Sequence, residues 1–88
     1  MKVVVNGKEY KIWFKHTMLD GARYKALTTC WVEGAGRPWP GGQALCVAGD
    51  QFKKSIGRKI ALSRAIYGFT RDERREIWKQ YFDVVGRG

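Results

Sequence analysis

Between residues 10 and 15 the side chains sort by twos: Tyr10, Ile12 and Phe14 on one side, and Lys11 and Lys15 with Trp13 between them on the other. A period of two predicts a strand with one buried face, and here the outward face carries an indole between two lysines. Val3-Val4-Val5 precedes it, and Asn6-Gly7 stands between the two runs. Asn-Gly accepts the positive φ values of a type I′ turn, so strands over 2–5 and 9–15 are predicted to form a hairpin. The stretch from His16 to Ala22 contains Asp20-Gly21 and no periodicity, and reads as a connecting loop. Arg23 to Glu33, rich in Thr, Tyr, Trp and Val, predicts a third strand. Its inward face stays open, because Leu27 and Trp31 on one side compete with Tyr24, Cys30 and Val32 on the other. Gly34 to Gly42 contains Pro38, Pro40 and four glycines, and reads as neither helix nor strand; a short fourth strand follows over 43–48.

From Gly49-Asp50 onward the period changes. Asp50 is a candidate N-cap for a helix over 51–67, with Gly68 as its stop. Thr70 and Glu73 have the spacing of a capping box, which opens a second helix over 71–85. On a helical wheel Phe52, Ile56, Ile60 and Ile66 gather on one side of the first helix, with Leu62 at the edge, and are expected to face the sheet. The other side carries the small residues Gly57, Ala61 and Ala65 between Lys53, Lys54, Arg58 and Arg64. That strip is either a groove for a polyanion or the seat of the second helix, whose own apolar face holds Ile77, Trp78, Tyr81, Phe82, Val84 and Val85. The predicted fold is α+β, a single domain over 1–88: a four-stranded antiparallel sheet of two hairpins over 2–48, then two C-terminal helices on one face.

Charge narrows the partner class. Seventeen Lys and Arg against eight Asp and Glu give a net +9 and a pI near 10.0. The excess is concentrated in residues 1–66, with 12 basic and four acidic side chains, whereas 67–88 holds five and four. A polyanionic partner is expected. No apolar run approaches the ~18 residues that span a bilayer and no leader pattern opens the chain, so a soluble, cytoplasmic protein without membrane contact is expected. Cys30 and Cys46 lack metal or redox spacing; they would meet across a hairpin symmetric about Pro38, as thiols in a reducing compartment. His16 has no matching nucleophile motif, and the carboxylates Asp72, Glu73, Glu76 and Asp83 lie among Arg71, Arg74, Arg75 and Lys79 as a solvated, ion-paired face. No enzyme, metal or cofactor is expected.

Binding residues follow from the same pattern. Lys11, Trp13 and Lys15 form a stacking platform of the kind single-strand binders use. Trp39, held between Pro38 and Pro40 and next but one to Arg37, reads as an aromatic presented to a partner. Lys53, Lys54, Arg58 and Arg64 are candidates for phosphate contacts.

Two resemblances add to this. The strand, turn and helix over 43–65, opening Lys53-Lys54 and continuing Arg58-Lys59, resemble the C-terminal half of a double-stranded-RNA-binding domain, whose last helix sets lysines on phosphates. That family begins with a groove-reading helix, whereas this chain begins with a hairpin, so its reading of RNA shape does not carry over. The pattern Asp50-x-Phe52-x-Lys54-x-x-Gly57-Arg58-Lys59-x-Ala61-Leu62-x-Arg64-Ala65, followed by an arginine-rich helix start with Trp78 and Tyr81, is similar to small basic orphan proteins of bacteriophages. Proteins of that size and origin include anti-CRISPR and other anti-defence inhibitors. The resemblance implies a non-catalytic inhibitor docking on a nucleic-acid enzyme such as a Cas effector, or on its bound nucleic acid, in the host bacterial cell. Mimicry of DNA is excluded by the positive charge. The alternative is a stand-alone nucleic-acid-binding protein contacting phosphates of RNA or DNA. Either is expected as a monomer or, through a free edge at the first or fourth strand, a weak homodimer.

Overall fold

In a computed structural model of the chain the described residues are 1–21, 23–34, 37–49 and 53–86, with 37–40 described by their backbone alone. The elements are β1 (Lys2–Val5), β2 (Lys8–Met18), β3 (Tyr24–Gly34), β4 (Arg37–Val47), α1 (Lys54–Ala65) and α2 (Arg71–Val85). The strands pair antiparallel in the order β1-β2-β3-β4, and the α+β class is as predicted. Asn6 (φ 53°) and Gly7 (φ 75°) both take the left-handed conformation a type I′ turn requires, which sets Val5 opposite Lys8. That register buries Val3, Val5, Tyr10 and Ile12 together.

Three readings of the strands need correction. Residues 16–18 continue β2, so His16 is a strand residue. β4 begins at Arg37, so the Gly/Pro stretch is largely strand. Prolines are tolerated there because β4 is an edge, with one side of its backbone unpaired, and because two residues, Pro40 and Gly41, oppose the single Trp31 as a bulge. The hairpin is also out of the expected register: Cys30 pairs with Gly42 and Cys46 with Ala26, so the cysteines stand four positions apart, ~13 Å, and do not meet. Neither cysteine is in a disulfide, and burial pushes the Cys30 thiol up to about 12.

α2 keeps its predicted bounds. Thr70 Oγ1 accepts from the Glu73 amide at 3.2 Å while Glu73 Oε1 accepts from the Thr70 amide at 2.9 Å, closing the capping box. Those bonds favour the charged carboxylate, and together with Asn6 they hold Glu73 below its ordinary 4.5. A depressed folded pKa means stabilisation that is present above 4.5 and lost as pH falls through the folded value. Thr70→Ala is expected to cost about 1 kcal/mol at neutral pH. Glu73→Gln should flatten the loss of stability below pH 4.5. Urea denaturation at pH 7 and pH 3 checks both.

α1 departs most from expectation. Its N-cap is Lys53, without a side-chain cap; Asp50, the expected cap, and Phe52 lie outside the described residues. It ends at Ala65, and Gly68 has no positive φ, so the left-handed stop is not made there. Arg74 Nη1 instead ties the interhelix turn by donating to the carbonyls of Tyr67 (3.2 Å) and Phe69 (2.7 Å).

The helix is also rotated from its predicted seat. Leu62 and Ile66 of the expected stripe are buried, but so are Ala61 and Ala65, while Ile56 and Ile60 are 50% and 41% exposed. The small-residue strip therefore faces neither a polyanion nor α2 but the sheet. Gly57 sits over Thr28, and Gly42 of β4 lies against the backbone of Ala61 and Ala65. α2 packs over β1, where Ile77 and Tyr81 are buried against Val3, Val5 and Tyr10. Val84 and Val85 stay exposed. The expected ion pairing on α2 is missing too, for among the described residues the one salt bridge is Lys2–Glu9 at 3.6 Å. Both sheet edges are partly closed by the helices: Gln80 takes the Val4 N–H (2.9 Å) and C=O (2.7 Å), and Arg64 Nη1 takes the Gln43 carbonyl (2.6 Å).

Candidate nucleic-acid interface

Because both helices pack on one side, the other side of the sheet carries no cover among the described residues. The alternation of β2 delivers Lys11, Trp13 and Lys15 to that open face as predicted, while Phe14 turns inward to Tyr81 at a ring distance of 6.1 Å. The antiparallel register sets Trp13 directly opposite Trp31 and Lys15 opposite Thr29. The two indoles stack at 6.1 Å with an interplanar angle of 20°. They remain 41% and 36% exposed. Stacking on each other thus fixes their planes without hiding them, and a flat aromatic surface is presented to solvent.

The bulge at Pro40–Gly41 lies beside this pair. With no side chain at Gly41, an open depression of about 590 Å³ forms between Trp31, Leu45 and Arg64. Arg64 belongs to α1, yet its guanidinium reaches around the β4 edge to Gln43 and so joins the open face. Lys11, Lys15 and Arg64 have no carboxylate within ion-pair distance among the described residues. The carboxylates of this face, Glu9 and Glu33, lie toward the Asn6-Gly7 end, so positive charge dominates the opposite end.

The expected cations do not form one surface. Lys53 and Lys54, both exposed, stand at the start of α1 on the far side of the sheet from Trp13. Arg58 turns toward the sheet, half-buried, with its Nε enclosed and lacking a hydrogen-bond partner. Near it His16 Nδ1 and Thr28 Oγ1 share a 2.8 Å hydrogen bond. Burial, then the charges of Arg58 and Lys54, hold the His16 imidazole below its ordinary 6.5. A lowered histidine pKa means that this group costs stability as pH falls below 6.5, where the unfolded chain binds the proton more readily. Arg37 and Trp39 enter the site only as backbone: they pair with Gly34 and Val32, and their side chains lie outside the described residues.

Trp31, Thr29 and Gln43 were not among the predicted site residues. β3 is apolar on both sides, so its outward face became legible only through its register with β2. A second feature appears on the helical side, where an open cleft of about 660 Å³ is lined by Lys59, Trp78 and Phe82 with Arg75, Lys79 and Asp83. Lys59 Nζ lies 5.7 Å from the centre of the Phe82 ring, and Trp78 stacks on Phe82 at 5.7 Å. Among the described residues no cluster of His, Cys, Asp and Glu could hold a metal ion, and no helix is long and apolar enough to cross a membrane. Comparison with protein-family models, with curated proteins and with solved structures finds no match to this chain.

Proposed function

We propose that this chain is a non-catalytic nucleic-acid-binding protein that uses the open sheet face. The observation that carries this is the exposed Trp13–Trp31 stack, flanked by Lys11, Lys15 and Arg64, which have no ion-pair partner among the described residues. A core-building tryptophan would be covered, and a lysine kept only for solubility has no reason to border an indole plane. Aromatic planes bordered by unpaired cations suit unstacked bases and their phosphates. The +9 net charge adds long-range attraction for any polyanion.

A second reading, the phage-type inhibitor of a nucleic-acid enzyme, is favoured by one observation on the other side. Ile56 and Ile60 are exposed one turn apart on α1, beside Lys53 and Lys59, an apolar stripe that a protein partner would use and a phosphate chain would not.

Fluorescence anisotropy of labelled single- and double-stranded DNA and RNA over a salt series tests the first reading. Two cations on a single strand predict a log–log slope near −1.4, and three near −2.1, at about 0.7 per phosphate. Absence of binding at physiological salt sinks it; inhibition of a Cas nuclease in a cleavage assay would then support the second.

A further inference from the structure

We infer that a single nucleic-acid strand crosses the sheet transversely, its bases on Trp13 and Trp31 and its phosphates on Lys15 and Arg64. This rests on the sheet-face reading above and adds a path and a strandedness to it. Lys15, Thr29 and Gln43 are successive register partners, so they form a row across β2, β3 and β4. That row lies two residues, ~7 Å, from the Trp13–Trp31 row. Arg64 closes its far end, held in place by its bond to the Gln43 carbonyl. Cations therefore stand at both ends of a row whose middle, two strand spacings or ~10 Å wide, offers only a neutral hydroxyl and a neutral amide.

The row on the other side of the indoles differs. There Lys11 faces Glu33 across the strands, so a phosphate at Lys11 would meet a carboxylate beside it. The charge asymmetry places the backbone on the Lys15–Arg64 side. The depression beside Trp31, opened by the bulge and by the missing side chain of Gly41, gives the next base a place to enter with Arg64 at its rim. A duplex keeps its base faces inside the stack and cannot offer them to the two indoles, so the ligand class is single-stranded.

The salt dependence of binding separates this path from binding as such. With a labelled eight-nucleotide oligo-dT, Lys15→Gln and Arg64→Gln should each lower the slope by about 0.7, and the double variant by about 1.4. Arg71→Gln, on the opposite side of the molecule, should leave the slope unchanged. Arg64→Lys should retain it, and thermal melting confirms that each variant folds. If the wild type binds and neither Lys15→Gln nor Arg64→Gln moves the slope, the path is wrong while sheet-face binding stands. A duplex bound as tightly as the single strand also overturns it. Failure of the wild type to bind removes both.

Discussion

Gly42→Val is expected to cost more than about 3 kcal/mol of stability, a large share of what a domain of this size has. Gly42 is buried where β4 passes beneath α1. A Cβ there would collide with the Ala61 carbonyl oxygen and the Ala65 amide nitrogen, and would lie 3.0 Å from the Arg64 carbonyl carbon. These are helix backbone atoms, which cannot rotate aside as a side-chain tip can. α1 must lift, and lifting it parts Ala61, Leu62 and Ala65 from a core they share with Val32, Cys30 and Ala44. Overpacking alone costs about 1–3 kcal/mol, and opening the helix–sheet contact adds to that. An 88-residue domain has a total of only about 4–13 kcal/mol to lose. Urea denaturation should show a lower midpoint with an unchanged slope. Gly49→Ala, where nothing stands within 4 Å and φ is not positive, is the control and should be neutral or slightly stabilising. A Gly42→Ala protein as stable as wild type would refute the close seat of α1.

The second large effect concerns binding. Replacing both Trp13 and Trp31 with alanine is expected to weaken single-strand binding by about 2–6 kcal/mol, thirtyfold at the least, since each stacked base contributes ~1–3 kcal/mol. The fold should tolerate the change. Both indoles lie on the open face, and their mutual stacking is worth about 0.5–1.5 kcal/mol. Loss of affinity with a nearly unchanged melting temperature is therefore the signature. Trp78→Phe, on the helical side, should leave binding as it is. Unaltered affinity in the double variant would move any nucleic-acid contact to the helical side, where Lys59, Arg75 and Lys79 surround Trp78 and Phe82.

What the sequence alone determined is local. Asn6-Gly7 dictates its turn because only a few residue types take positive φ cheaply, and Thr70 with Glu73 dictates the start of α2 because a cap needs partners three residues apart. The alternation of residues 10–15 sorts Lys11, Trp13 and Lys15 from the core for the same reason, as the pleat is a property of the single strand. The element order ββββαα follows from such signals. Register and seating do not. Pro38 and Pro40 can join a strand only because β4 is an edge with a bulge, a fact about its neighbours and not about its composition.

α1 shows the same limit. Its isoleucines form a larger apolar stripe than its alanines, yet the alanine and glycine side faces the sheet, because Gly42 and Thr28 come close enough to admit a backbone there and little else. The wheel registers side-chain size, whereas closeness of approach depends on residues 15–29 positions away. The candidate site divides along that line. Trp13 and its lysines were readable from one strand, but the partner indole, the depression and the reach of Arg64 to the open face exist only once three strands and a helix are assembled.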